Sequence, residues 1–188
     1  MGVYIENGSL RPFSAVIETP RGHNAIAIRN TGHLEFPLAA CVEADMEGVN
    51  TANSMGPPTK RLSDVSVLKT IQGGAVHTYP FSSSVASVLV LLKTDGRPLN
   101  ARIELLQGPN NNKQVMEIYT EDGMERPFFA VIDTPGTGNV VRIVNTATVE
   151  FPLTACVEPY MVDPSYGGSD GGGWDTVDPT AYGVPRQY

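Results

Sequence analysis

Phe151-Pro-Leu-Thr-Ala-Cys-Val-Glu158 decides the fold, because it occurs twice. Its earlier copy is Phe36-Pro-Leu-Ala-Ala-Cys-Val-Glu43, 115 positions upstream. At that offset Tyr4 to Met46 aligns with Tyr119 to Met161 without a gap, and 24 of the 43 pairs are identical. The chain therefore carries a duplicated unit, and a repeat of this period sets the architecture before any single element is read. Within the stretch, Phe36, Leu38, Ala40 and Val42 fall on one side of an extended chain by period-two alternation. Pro37 and Pro152 mark a strand's beginning or an edge, since proline has no N–H to give to a ladder.

Outward from this stretch, copy one contains a strand ending at Tyr4-Ile5-Glu6, a turn at Asn7-Gly8, and a strand from Phe13 to Thr19 closed by Pro20. Ala25-Ile-Ala-Ile-Arg29 follows as a strand. Ile26 and Ile28 match Val141 and Ile143 of copy two, so this face is expected to be buried in both copies. Residues 47–61, rich in Gly, Asn, Thr and Pro, read as a linker. Short strands are expected over 63–70 and 76–81. The second copy then runs through strands at 85–93, 101–106, 114–120, 128–134, 140–145 and 151–158, punctuated by Asp95-Gly96, Pro109-Asn-Asn-Asn112, Asp122-Gly123 and Gly136-Thr-Gly138. Short strands with turn signals about every ten residues imply an antiparallel β-sandwich or barrel, with very little helix. The expected organisation is a first repeat unit over 1–46, a linker over 47–61, a second unit with its upstream strands over 62–161, and a C-terminal arm over 162–188. Copy one starts almost at Met1, whereas strands precede copy two. The first unit thus reads as shortened at its N-terminus, by processing or by the choice of segment.

Composition narrows the function classes. The formal charge of −7 and the pI near 4.9 disfavour a nucleic-acid backbone or an anionic membrane surface as partner. No signal peptide, transit peptide or apolar run of membrane-spanning length is present, which fits either a cytosolic protein or one whose targeting leader has been removed. The two cysteines, Cys41 and Cys156, occupy equivalent repeat positions. They are expected to be small buried strand residues, with a Cys41–Cys156 disulfide as the lesser alternative.

Reactive chemistry is not legible. His23, His33 and His77 lack metal-ligand spacing, and His23 and His33 are replaced by Gly138 and Thr148 in copy two. Gly136-Thr-Gly138 precedes no helix and is a turn, not a phosphate loop. Ser82-Ser-Ser84 lies in no nucleophile elbow, and Asp170, Asp175 and Asp178 lack calcium-loop spacing. No catalytic, cofactor-binding or metal-binding residue is assigned, and no cofactor is expected. Repeated Arg11/Arg126 and Glu43/Glu158 read as fold residues. The C-terminal stretch is rich in Gly, Asp and Pro, yet it holds Tyr160, Tyr166, Trp174, Tyr182 and Tyr188. Solvating tails lack large aromatics, which anchor interfaces, so these five are the candidate assembly contacts of an arm that docks on a surface.

The repeated Arg-Pro-Phe, Ala-Val-Ile-(Asp/Glu)-Thr-Pro and Glu-Phe-Pro-Leu-x-Ala-Cys-Val-Glu blocks resemble the pyrenoid shell proteins (PyShell) of diatoms and related algae. The resemblance spans both copies and the Gly/Tyr-rich arm. It implies an all-β protein of two homologous antiparallel β-sandwich-like units, related by duplication about a pseudo-twofold, with an extended C-terminal arm. It implies a non-enzymatic protein of the chloroplast stroma, at the pyrenoid periphery. Such a protein self-assembles into a sheet around the Rubisco condensate and supports CO2 fixation. Its partners would be itself in a homo-oligomeric sheet or tube, and Rubisco or other pyrenoid proteins, with no nucleic acid and no membrane insertion. The competing reading is a monomeric β-sandwich that binds a carbohydrate or protein ligand. A β-sandwich hydrolase, a third class, would need a clustered acid or metal site.

Overall fold

The structure, a computed structural model, describes residues 1–20, 22–44 and 67–163. Ten strands and no helix occur among them: β1 (Gly2–Ile5), β2 (Ser14–Ile17), β3 (Lys69–Ile71), β4 (Val76–Pro80), β5 (Val85–Lys93), β6 (Leu99–Gln107), β7 (Asn112–Thr120), β8 (Phe128–Asp133), β9 (Asn139–Asn145) and β10 (Leu153–Val162). They form two five-stranded antiparallel sheets. One has the order β1-β7-β6-β9-β4 and the other β2-β8-β5-β10-β3. From β3 to β10 each connection crosses between the sheets except the β6–β7 hairpin, as in a sandwich.

Period-two alternation builds the core. Val88, Val90 and Leu92 of β5 face Leu99, Ala101, Ile103 and Leu105 of β6 across the sandwich, joined by Met116, Ala130, Ile132, Val141, Ile143, Leu153 and Ala155. Most of these side chains are wholly removed from water. A smaller cluster of Leu91, Phe129 and Cys156, flanked by Leu68, Leu89 and Val131, lies on the outward side of the second sheet. The sheet's outer surface is thus partly apolar. The first sheet's outer surface is charged instead, with the buried carboxylate of Glu104 paired to the guanidinium groups of Arg102 and Arg142.

Copy one contributes only edge strands. Its β1 adds to β7 and its β2 to β8. The registers place Gly2 opposite Glu117 and Ala15 opposite Ala130, each pair 115 positions apart. At both seams a residue therefore pairs with its own repeat counterpart, which is the geometry of a local twofold. Side chains hold the seam as well. Lys113 Nζ lies 2.6 Å from Glu6 Oε2, and the buried Arg11 donates from Nη2 to Gln107 Oε1 at 2.9 Å. Arg11 therefore serves the fold through an amide, and no ion pair involves it or Arg126 among the described residues.

Two expected strands, 25–29 and 36–43, are not formed, and the expected burial of Ile26 and Ile28 is corrected with them. Ile26, Ile28 and Leu38 are 45%, 54% and 57% exposed, whereas their counterparts Val141, Ile143 and Leu153 are at most 2% exposed. The cause is nonlocal. β9 and β10 are buried because β6 and β5 lie beside them, whereas residues 24–43 pair with no strand among the described residues. Phe36 and Phe151 consequently sit in different surroundings: Phe36 is exposed, and Phe151 is half-buried beneath the Arg97 guanidinium, 5.9 Å from the ring centroid.

Local turns nonetheless fold alike in both copies. Asn145 Nδ2 donates to the Phe151 carbonyl at 2.9 Å, and Asn30 Nδ2 to the Phe36 carbonyl at 2.8 Å. Their Oδ1 atoms accept from the backbone N–H groups of Ala147 and Gly32. Asp122 and Asn7 each accept two backbone N–H groups, from residues two and three positions on. These are side-chain-closed turns, set by residues near in sequence. Asn145 alone makes a further bond, to the Ile71 carbonyl, and is buried. Asn145→Ala, which leaves buried carbonyls unpaired, is expected to cost about 1–3 kcal/mol in urea unfolding followed by far-UV circular dichroism. The same change at the exposed Asn30 should stay within about 0.5 kcal/mol; equal losses would refute the assignment of Asn145 to a buried network.

Candidate assembly surfaces

Four strands end the two sheets: β1 and β4 in one, β2 and β3 in the other. An edge strand presents a row of backbone groups able to pair with another chain. The β3–β4 side is blunted. β3 has three residues, and β4 ends at Pro80, which cannot donate. On the other side β1 and β2 are open along their outer edges. Further along the same copy, Ile26, Ile28, Leu34, Phe36, Leu38 and Val42 are exposed apolar side chains.

Among the five residues singled out as assembly contacts, Tyr160 is described. It lies in β10, 57% exposed, next to the exposed Met161 and Val162. β10 runs on past Glu158 because it follows β5 through a bulge between Pro159 and Val162. The strand thus ends at Val162, the first residue of the expected arm. Tyr166, Trp174, Tyr182 and Tyr188 lie outside the described residues.

Cys41 is exposed and Cys156 buried, and both are thiols. The expected burial of Cys41 and the alternative of a Cys41–Cys156 disulfide are both corrected. Residues 38–43 have no neighbouring strand to cover them, whereas Cys156 is packed with Leu91 and Phe129.

The titratable groups have structural explanations. Backbone N–H groups of Glu125 and Met124 hold the Asp122 carboxyl below the usual range. Burial raises that of Asp133. The Tyr79 hydroxyl is pushed up to about 12, chiefly by burial and secondarily by Cys156, and its ring meets that of His77 edge-on at 4.7 Å. Among the described residues no group of three His, Cys, Asp or Glu side chains is placed to hold a metal ion, and no helix is long and apolar enough to cross a membrane. An open depression of about 300 Å³ is lined by Thr78, Leu106, Gly108, Pro109, Asn110, Val140 and Arg142. It gathers neither a nucleophile nor a pair of carboxylates.

These surfaces are strand edges, apolar side chains and ion-paired faces. The model of the family described as diatom pyrenoid shell protein matches residues 1–159, most of the chain and both repeat copies. This chain belongs to the diatom pyrenoid shell protein family. The description names a shell component and not an enzyme, and a pyrenoid lies in the chloroplast. No curated protein matched the chain. Within this shell protein, the residues that sequence reasoning missed as surface are the apolar rows of residues 24–43. Their alternation signals a strand, and burial was inferred from copy two. What separates the copies among the described residues is that β9 and β10 have β6 and β5 beside them.

Two outcomes follow from this geometry. An uncharged thiol reagent should label Cys41 rapidly and Cys156 only on the timescale of unfolding, giving one fast thiol in the native monomer and two in urea; two fast native thiols would contradict the buried position of Cys156. Because burial raises the Asp133 carboxyl in the folded state, its contribution is present below the unfolded carboxylate value of about 3.9 and is lost as pH rises through the folded value. Asp133→Asn should therefore be more stable than the parent at pH 7, with the gap closing below about pH 4 in pH-dependent thermal unfolding. A gap independent of pH would remove that explanation.

Proposed function

We propose that this chain is a structural, self-assembling component of the sheet-like shell around the Rubisco-containing pyrenoid in the chloroplast stroma. In this reading it supports CO2 fixation by enclosing the condensate. The observation that carries it is the family match across residues 1–159. The architecture supports it physically: heterologous contacts that do not close into a ring extend into arrays, and open strand edges offer such contacts. The seam between copies illustrates the joint, since β1 and β2 add to β7 and β8 by backbone pairing. The principal partner is the chain itself, with Rubisco or other pyrenoid proteins lying against one face of the sheet. The segment 164–188, with Tyr166, Trp174, Tyr182 and Tyr188, straps one protomer to the next, aided by the exposed Tyr160 at the end of β10.

Sedimentation velocity and negative-stain imaging of the purified chain test this. Large species that grow with protein concentration, seen as sheets or tubes, are the expected result. A single monomeric species at all concentrations would overturn the reading in favour of a binding module. Removal of residues 164–188 should abolish the sheets; sheets that survive the deletion would remove the arm from the assembly.

A further inference from the structure

The interior of the sandwich is apolar along most of its length, but one end is polar. There β6 ends and both β7 and β9 begin. Gln114 stands opposite the core residue Leu105, so the two side chains share the inward face. Gln107, two residues beyond Leu105, points the same way and stands opposite Asn139. Arg11 reaches this end from copy one. It lies two residues before Phe13, which packs on the core, and its Nη2 donates to Gln107 Oε1 at 2.9 Å. Gln107 and Gln114 are diagonal neighbours on β6 and β7, about 7–8 Å apart along the backbone, a gap that long side chains span. The Gln114 amide is thereby brought to the guanidinium that Gln107 holds. Gln114, Asn139 and Arg11 are 0%, 2% and 3% exposed.

The protein does not match all the polar atoms gathered here. Arg11 Nε, both Gln114 amide atoms and Asn139 Oδ1 are shut off from solvent without a protein partner. The charge is the larger demand. A guanidinium does not shed its proton, and a buried charge requires an opposite one. Glu6, at the same seam, is engaged by Lys113. Copy two shows how the equivalent arginine is treated. Asn7 and Asp122 are repeat counterparts, as are Arg11 and Arg126, and in both turns the arginine N–H donates to the earlier residue's carbonyl at 3.0 Å. The Asp122 carboxyl is held low by the backbone N–H groups of Glu125 and Met124, and further by the charge of Arg126. Arg126 is only half-buried. Copy one therefore combines the deeper arginine with an uncharged amide in the place of the carboxylate.

We propose that Arg11 Nε and the Gln114 amide N–H hold a small monovalent anion of halide size between the sheets, at the seam between the copies. The anion supplies the negative charge that Asn7 lacks. Water alone would meet each polar atom singly and leave the guanidinium uncompensated; beside an anion, it meets the acceptors Gln114 Oε1 and Asn139 Oδ1. Close packing of the interior excludes larger anions such as sulfate. A chain of net charge −7 repels anions in general, so a bound one marks a specific site. Because Arg11 comes from copy one and Gln114 from copy two, occupancy fastens the first copy to the sandwich. The inference concerns a single molecule and does not rest on shell assembly.

Chloride titration of the full-length chain tests it, at a concentration where the chain sediments as a monomer and with gluconate holding the ionic strength constant. The melting temperature should rise saturably, by at least about 3 °C between roughly 1 and 100 mM chloride, and bromide should act alike. Arg11→Met should remove the response, whereas Arg126→Met, at the repeat counterpart, should keep it. Chloride line broadening in nuclear magnetic resonance reads binding to the folded chain directly. Should Arg11→Met not fold, Gln114→Leu is the second variant, expected to weaken chloride binding by at least about tenfold. A melting temperature indifferent to chloride overturns the inference and assigns these atoms to water alone. Broadening unchanged by Arg11→Met or Gln114→Leu places the anion elsewhere and overturns it too. So does a response lost equally in Arg126→Met, which would mark a diffuse charge effect.

Discussion

Burial throughout this molecule is set by nearness to β5 and β6. These two strands are paired on both sides, β5 with β8 and β10, and β6 with β7 and β9. Their inward side chains form the centre of the core. Segments next to them are buried on the inward side, as the alternating burial of β9 shows from Asn139 to Asn145. β1 and β2, one strand further out, are mostly exposed. Residues 24–43 pair with no strand and remain open to water. The backbone explains the steepness of this gradient. A strand's N–H and C=O groups need partners on both sides, and only paired strands can exclude water without leaving those groups unmet. Apolar alternation alone therefore does not bury a segment.

That rule separates what the sequence shows from what it hides. Turn chemistry is local, so Asn30 and Asn145 could be read as turn residues in both copies, and both close the same turn. The all-β architecture was legible for a similar reason: alternation and punctuation recur along the whole chain. Burial was not, because it depends on strands distant in sequence. Gly8 and Gly123 make the distinction at one repeat position. A Cβ on Gly123 would lie 2.5 Å from Thr94 Oγ1, whereas one on Gly8 would meet nothing. Gly73 is similarly fixed by tertiary contact, its hypothetical Cβ lying 1.7 Å from the Thr148 carbonyl. Of the candidate contacts, Tyr160 was found exposed, but its place within a strand was obscured by Pro159. The strand passes that proline through a bulge, an option that residue composition does not reveal.

The seam between the copies has its own logic. Two copies of one sequence naturally pair about a twofold, because each then offers the other the same edge. The registers at Gly2/Glu117 and Ala15/Ala130 follow that form in both sheets at once. Four-residue strands supply few ladder bonds, and the seam adds the Lys113–Glu6 ion pair and the buried Arg11–Gln107 bond. Gln107 also donates to the Pro135 and Thr137 carbonyls, tying Arg11 to the turn between β8 and β9. Arg11 is thereby more than a surface charge. Among the described residues it has no carboxylate partner, and its Nη2 is met by an amide that is itself held in place, so the guanidinium couples the first copy to the centre of the sandwich.

Edge chemistry gives the molecule a direction. On the β3–β4 side, a three-residue strand and a terminal proline limit what a further strand could pair with. On the β1–β2 side neither strand has a further partner among the described residues. Backbone pairing with a further strand is therefore favoured from one side only, and a contact on the other would rely on side chains such as the exposed Val76. The two faces differ as well. One carries the ion-paired Glu104, and the other an apolar cluster around Leu91 and Phe129. A sheet of such molecules packed in a common orientation would inherit two unlike surfaces and a defined growth edge. Among the described residues that polarity arises from which strands have neighbours.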